Sequence, residues 1–556
     1  MTCTPVAVTD RALLPAVGLL VLLAACGGGT RDGDTSPTLI TTVTQPPPAS
    51  GSPNVNADRT VDLSREQAAS TILGADTGDY FNDLPALATG DVNGDDRDDL
   101  LIGARFGDGP DNSRADSGEA YIIYGRSPLP ATIDLAAGQA DVTIFGAAGQ
   151  SGGAPGDQAG FAGTLADVNG DEVEDIILGA PFVHRPDNRA IAGAVYVIFG
   201  SAGLPSQIDL ATGAADLAII GTHTSSFFGD ALTAGDVNGD GVDDVIVGAP
   251  FEARPQGLER GGQMAGAVFA FFGASELGGT RDTAKGEFDL VVYGEEEFEG
   301  GDEAGDNVAS GDVNGDGVDD IVITAEAADG PNNERSVAAE VYVVYGSEDL
   351  SGALDIGQGD QDVTVYGADN NDTTGFNVGA ADVTGDGIDD LLVSLRGGDG
   401  EGNSTGESGE LHIFPGGSLP DVIDLAAYPN DAYVYGEDAA DFLGNGIAFA
   451  DFDGDGVLDL LVGLPGGDGP TSDSNHVRDA GEAFVLDARA ITGATAIHAA
   501  GPRLAVFGAA SADFLGTSVA AGDLDGDGVP EVIALAPSAD RPGGIPDAGA
   551  IYVIKR

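Results

Sequence analysis

The sequence predicts an all-β fold: a seven-bladed β-propeller of four-stranded antiparallel blades, its ring closed by an N-terminal strand that completes the last blade. Three observations carry that expectation. Seven acidic turns recur at intervals of 69 to 76 residues, which marks one repeat architecture rather than several unrelated domains. Between them lie short runs rich in Val, Ile, Tyr and Phe and bounded by Gly, a strand signature, with no long 3.6-residue period. The last repeat stops after its third strand at Ile551–Ile554, while the first is preceded by a stray copy of the fourth, Ser70–Gly74. A linear solenoid has no use for a unit split between its two ends, whereas a ring closes over such a seam.

Taken in chain order, the apolar run Ala12–Leu23 has the length of a signal-peptide core and is too short to span a bilayer. The ending Leu23-Ala24-Ala25-Cys26 resembles the lipobox of bacterial lipoproteins. That resemblance implies removal of residues 1–25, lipidation of Cys26 and a membrane-anchored, extracytoplasmic protein; Gly27, where an Asp would favour inner-membrane retention, points to the outer membrane or cell surface. Residues 26–59 are rich in Gly, Pro and Thr without apolar periodicity and read as a flexible tether. Residues 60–556 form the propeller. A formal charge of −70, from 92 acidic against 22 basic residues, repels phosphate and excludes a nucleic-acid partner. Hydrophobic content of 42% is that of a folded chain, and 88 glycines imply many tight turns.

The third repeat shows the expected unit. Asp230–Gly235 is a strand leading into the loop Asp236–Asp244, Val245–Val247 a second, Gly266–Phe272 a third and Phe288–Tyr293 a fourth. A turn of helix is expected near Leu63–Ala69. The Val61-Asp62-Leu63 stretch matches Ile133-Asp134-Leu135 further along the chain.

The seven loops share the pattern D-x-[N/D/T]-G-D-x-x-x-[D/E]. Side-chain oxygens at positions 1, 3, 5 and 9, with the carbonyl of position 7, are the expected ligands. The first loop offers Asp91, Asn93, Asp95, Arg97 and Asp99; the second Asp167, Asn169, Asp171, Val173 and Asp175. The third offers Asp236, Asn238, Asp240, Val242 and Asp244; the fourth Asp312, Asn314, Asp316, Val318 and Asp320. The fifth has Asp382, Thr384, Asp386, Ile388 and Asp390; the sixth Asp451, Asp453, Asp455, Val457 and Asp459; the seventh Asp523, Asp525, Asp527, Val529 and Glu531. Carboxylates this close repel by about 4 kcal/mol per pair at ~4 Å and an effective dielectric of ~20. A cation removes that cost, and an all-oxygen donor set selects Ca²⁺, up to seven ions with a structural role. An EF-hand is excluded because position 12, which needs a bidentate Glu, is apolar (Ile102, Leu178, Val247), and the flanks are strands.

With Phe227-Phe228-Gly229 upstream and Gly248-Ala249-Pro250 downstream, these loops resemble FG-GAP repeats, as in the N-terminal propeller of integrin α subunits. The resemblance implies calcium in the loop joining the first two strands of each blade, and a role in adhesion or in binding a protein or glycan. Asp96 and Glu172, in place of Gly at position 6, and Thr384 at position 3 put loops one, two and five furthest from the pattern. The GAP element is degraded to Thr324-Ala325-Glu326 and Ser394-Leu395-Arg396 in units four and five.

Ten arginines fall in the long connections between second and third strands: Arg105, Arg114, Arg185, Arg189, Arg254, Arg260, Arg335, Arg396, Arg478 and Arg541. On the face opposite calcium they are expected to engage an anionic partner, or else to pair with nearby acids. No nucleophile elbow, phosphate loop or zinc-protease motif occurs, and no two of the five histidines share a metal-ligand spacing, so the chain is expected not to be an enzyme. The competing expectation is a carbohydrate-active enzyme, a polysaccharide lyase-like propeller, working on the face away from calcium.

Overall fold

Apolar residues on both faces make the second strand of every repeat a buried element, and this decides how the sheets pack. Strands such as Asp99–Ala104, Asp244–Ala249 and Glu531–Ala536 are buried at all six positions, each covered by the flanking blades. The computed structural model describes residues 57, 59–75, 86–151, 153–185, 189–254, 264–295, 301–428, 432–469, 477–541 and 546–555. Cys26, Arg260 and His476 therefore lie outside the described residues. So do residues 1–25 and all of 26–59 except Ala57 and Arg59. No helix among the described residues is long and apolar enough to cross a membrane.

Seven sheets form the seven blades of a β-propeller. In the third blade the strands run Leu232–Gly235, Asp244–Ala249, Ala267–Phe271 and Leu290–Tyr293, antiparallel throughout. The expected unit thus holds, with the first, third and fourth strands trimmed at the ends and the second extended to Asp244–Ala249. The core sits between blades: Val195 and Val197 of the second blade cluster with Val245, Val247 and Phe269 of the third.

Each sheet contains one strand more than the sequence implies. Gly352–Asp355, from the connection between the third and fourth strands of the fourth blade, pairs in parallel with Leu290–Tyr293 of the third blade. The element Thr132–Asp134, recognised as a repeat but given no place, is the same device. The added strand lies beside the preceding blade and ties two neighbours together through backbone hydrogen bonds.

The N-terminal segment closes the ring twice. Ser70–Leu73 pairs antiparallel with Ala550–Ile554, completing the last blade as the split repeat predicts. Arg59–Asp62 pairs in parallel with Leu504–Phe507, supplying the fifth strand of the sixth blade. The residues between them make a turn at Asp62–Glu66, not a helix.

Candidate metal centre

The loop between the first two strands has one backbone course in all seven blades. The position-4 glycines are left-handed, from φ 71° at Gly526 to 79° at Gly315. Position 6 is left-handed as well, and Asp96 (φ 62°) and Glu172 (φ 67°) adopt the same conformation as glycine does elsewhere. Their substitution therefore leaves the turns of blades one and two intact.

Each position-1 aspartate organises its own loop. One oxygen of Asp167 accepts the N–H groups of Gly170 at 2.7 Å and Asp171 at 3.1 Å, and the other accepts that of Glu172 at 2.7 Å. The bonds to positions 5 and 6 recur in all seven loops. Position 9 is sealed beneath: Asp99, Asp175, Asp244, Asp320 and Asp390 are fully buried, and Asp459 and Glu531 nearly so. Burial raises the first four of these to about 7, Asp459 to about 6 and Glu531 to about 7. Desolvation dominates each shift, with the repulsion of positions 1 and 5 behind it.

The carboxylates gather most closely in blades six and seven, as a donor set of the kind a hard cation takes. There Asp451, Asp453 and Asp459, and likewise Asp523, Asp525 and Glu531, bring carboxylate oxygens within 4.8 Å of one another. Asp459 Oδ2 and Asp525 Oδ1 are buried without a hydrogen-bond partner. In the other five loops the position-3 side chain turns to position 9 instead. Asn93, Asn169, Asn238 and Asn314 donate amide N–H to the carboxylate, and the Thr384 hydroxyl lies 3.3 Å from Asp390. The position-5 carboxylates stay near the loop surface, where Asp171 and Asp240 accept the position-7 N–H. A divalent ion held here supplies positive charge between carboxylates that otherwise repel.

The loops also touch one another. The N–H at position 8 donates to the position-1 carbonyl of the preceding blade: Asp98 to Asp523, Glu174 to Asp91, Asp243 to Asp167, Asp319 to Asp236 and Asp389 to Asp312, at 3.1–3.3 Å. Val173 lies over Gly94, Val242 over Gly170 and Val318 over Gly239. The hydrogen bonds skip Leu458, although Val457 still lies over Gly385, and cannot use Pro530, which lacks an N–H.

The arginines gathered at the opposite end have a different employment from a free anion-binding ring. Five of them pair with the aspartate that ends the added parallel strand of the next blade. Arg114 binds Asp209, Arg189 binds Asp282, Arg254 binds Asp355, Arg335 binds Asp424 and Arg541 binds Asp134. The Arg189–Asp282 pair is bidentate at 2.7 and 3.0 Å. The guanidinium holds Asp282 down at about 2 and lowers Asp209 and Asp424 too. Arg105 lies over the rings of Phe106 and Phe161, and Arg396 over Phe376 and Phe442, each within 5.2 Å. Arg185 is half-buried, and Arg478 is exposed 3.5 Å from its neighbour Asp479. Sequence reasoning missed the aspartate partners; their signal was the repeated Ile-Asp-Leu element.

Fold and loops together define a class: a closed β-propeller built from repeats with acidic first turns. Six of the seven repeats are matched as FG-GAP repeats, at residues 85–123, 159–198, 228–271, 304–344, 443–486 and 515–554. Six of the seven blades thus carry FG-GAP repeats, in a propeller like that of integrin α subunits. It is 35% identical over 189 residues to integrin alpha-PS2 of Drosophila melanogaster, covering 32% of this chain and 12% of that protein. Mouse integrin alpha-3 is 38% identical over 95 residues, 17% of this chain and 8% of its own length. Human phosphatidylinositol-glycan-specific phospholipase D is 29% identical over 248 residues, 43% of this chain and 27% of that protein. The chain therefore spans about a quarter or less of the length of these relatives.

The last similarity corrects one expectation. A chain with no hydrolase motif is expected not to be an enzyme, yet its relatives include an enzyme in human, bovine and rat forms. Acidic turns that build a propeller say nothing against chemistry elsewhere on the chain, so the missing motifs carried less weight than the sequence argument gave them.

Proposed function

We propose that the chain is a calcium-binding adhesion or binding module that acts outside the cytoplasm. It is anchored through lipid on Cys26, with residues 1–25 removed, residues 26–59 as tether and residues 60–556 as the propeller. The observation that carries this reading is the buried position-9 carboxylate in every one of the seven loops, beneath a turn that the position-1 aspartate holds through backbone N–H groups. Calcium there offsets the mutual repulsion, holds each hairpin and so keeps the opposite face in shape for a protein or glycan partner. Of the described arginines on that face, Arg105, Arg185, Arg396 and Arg478 stand outside the Arg–Asp pairs between blades.

Calorimetric titration with Ca²⁺ and thermal unfolding in EGTA test the metal. Each site held 100-fold above its Kd adds ~2.7 kcal/mol to the native state, so chelation is expected to lower Tm by well over 5 °C. Equal melting temperatures with and without chelator would refute the calcium reading.

A second reading rests on the phospholipase D relatives: the chain takes part in acting on phosphatidylinositol-linked glycans. Incubation with a membrane-anchored reporter of that type checks it, and the absence of released reporter with calcium present counts against it.

A further inference from the structure

Loops six and seven differ from the other five in one residue and in one visitor. Position 3 is neutral in Asn93, Asn169, Asn238, Asn314 and Thr384, but acidic in Asp453 and Asp525. Each of the two extra carboxylates is met by a basic side chain from a strand end beside the loop. Arg503 contacts Asp453, places Nε 3.1 Å from Asp459 and reaches Asp487 at 2.8 Å. Lys555 contacts Asp525, with Nζ 3.4 Å from Asp527 and 3.5 Å from Glu531. Arg503 and Lys555 thus each offset the fourth carboxylate that position 3 adds to loops six and seven, while Arg489 reaches Asp455 at 2.7 Å in loop six and Arg97 lies 3.8 Å from Asp95 in loop one.

The two cations also mark the seam of the ring. Arg503 directly precedes Leu504–Phe507, the strand that receives Arg59–Asp62. Lys555 directly follows Ala550–Ile554, the strand that receives Ser70–Leu73. Arg59 joins them: its backbone N–H donates to the Arg503 carbonyl at 3.2 Å, and its guanidinium donates to the Lys555 carbonyl. At these same blades the loop-to-loop hydrogen bonds are interrupted, at Leu458 and Pro530.

We infer that Arg503 and Lys555 are tethered counter-ions of loops six and seven, which keep those carboxylate clusters closed when calcium is absent, so that the seam where the N-terminal strands dock is independent of the metal the other five loops need. An ammonium or guanidinium on a side chain cannot diffuse away, so its local concentration is fixed by the fold and not by the calcium level outside. Calcium entering these two loops has to displace or share with the resident cation, and they fill last. The inference rests on the calcium reading above and deepens it by dividing the seven loops into two classes.

Hydrogen–deuterium exchange of the full chain, in Ca²⁺ and in EGTA, tests it. Chelation is expected to speed exchange about tenfold or more at Gly94–Asp96, Gly170–Glu172 and Gly315–Gly317, and less than about twofold at Gly454–Gly456 and Gly526–Gly528. Arg503→Gln is expected to move loop six into the sensitive class, and Lys555→Gln loop seven, while both variants match the wild type in Ca²⁺. Loops six and seven of the wild type losing protection with the rest would overturn the inference, as would a variant whose loop stays protected in EGTA. Should R503Q not fold, the wild-type contrast and K555Q decide. Chelation that alters no loop at all removes the calcium reading itself, and this inference with it.

Discussion

Gly248 faces the carbonyl oxygen of Gly305 in the next blade, and a Cβ there would stand 2.1 Å from it. Gly103 meets Gly160, Gly179 meets Gly229 and Gly463 meets Gly516 in the same way. The two glycines of the repeat motif are therefore partners across a blade boundary, where two backbones approach too closely for any side chain. The apparent decay of the motif in units four and five is a substitution with its own logic. Their inner strands run eight residues with a register shift, Thr324 and Ser394 take the place of glycine, and their hydroxyls accept the N–H of Asn307 and Asn377 at 2.8 Å. Gly248→Ala forces backbone apart and is expected to cost about 1–3 kcal/mol in denaturant unfolding. Gly203→Ala, with open space around it, stays within about 0.5 kcal/mol of the wild type. No loss in the first variant would mean the blades do not abut as described.

Among the elements, the donated parallel strand is held by its ladder of backbone hydrogen bonds and, at five junctions, by an ion pair at its end. The same aspartate that caps the turn after the strand, such as Asp282 accepting from Ala284, also receives the arginine of the preceding blade. Junction five to six lacks both members, with Thr405 in the loop and Ala496 ending the strand, and at the sixth blade Asp62 ends the strand but pairs with Arg65 instead. Arg189→Ala is expected to destabilise by about 1–3 kcal/mol, less than a fully enclosed pair because the guanidinium keeps some water contact. Arg189→Lys recovers only part, since an ammonium cannot make the bidentate contact. The pH dependence has a definite sign. Asp282 sits near 2 in the folded chain and near 4 unfolded, so its contribution is complete above about pH 4 and disappears as pH falls towards 2. The penalty of Arg189→Ala, measured by chemical denaturation, should shrink across that window; a constant penalty would show that the pair is not ionic in origin.

For the whole molecule the decisive contacts are the longest ones in sequence, between Ser70–Leu73 and Ala550–Ile554 and between Arg59–Asp62 and Leu504–Phe507. A ring has no partial solution: with the seam open, the inner faces of the first and last blades meet water. Removal of residues through Leu63 deletes only an added edge strand and should leave a folded protein with a lowered Tm. Removal through Ala75 also takes the fourth strand of the last blade, exposing the core around Ile72, Ile551 and Val553, and should abolish a single cooperative transition in calorimetry. A cooperative transition in the shorter form would show that the last blade stands without its N-terminal strand.

Much of this was legible in the chain itself. Strand period, turn glycines, the seven acidic loops and the split repeat are local or periodic features, and local sterics and alternating burial are enough to read them. The loop backbones of blades one and two kept their shape despite Asp96 and Glu172, because a left-handed residue costs little when the aspartate at position 1 holds its N–H. What each conspicuous residue faces was decided only by the ring. Arg189 and Asp282 lie 93 positions apart, Arg541 and Asp134 lie 407 apart, and no periodicity links either pair until neighbouring blades come into register. Repetition along a sequence specifies a unit; the meeting of one unit with the next is set by packing, and there the arginines became struts between blades and two cations came to rest in acidic loops.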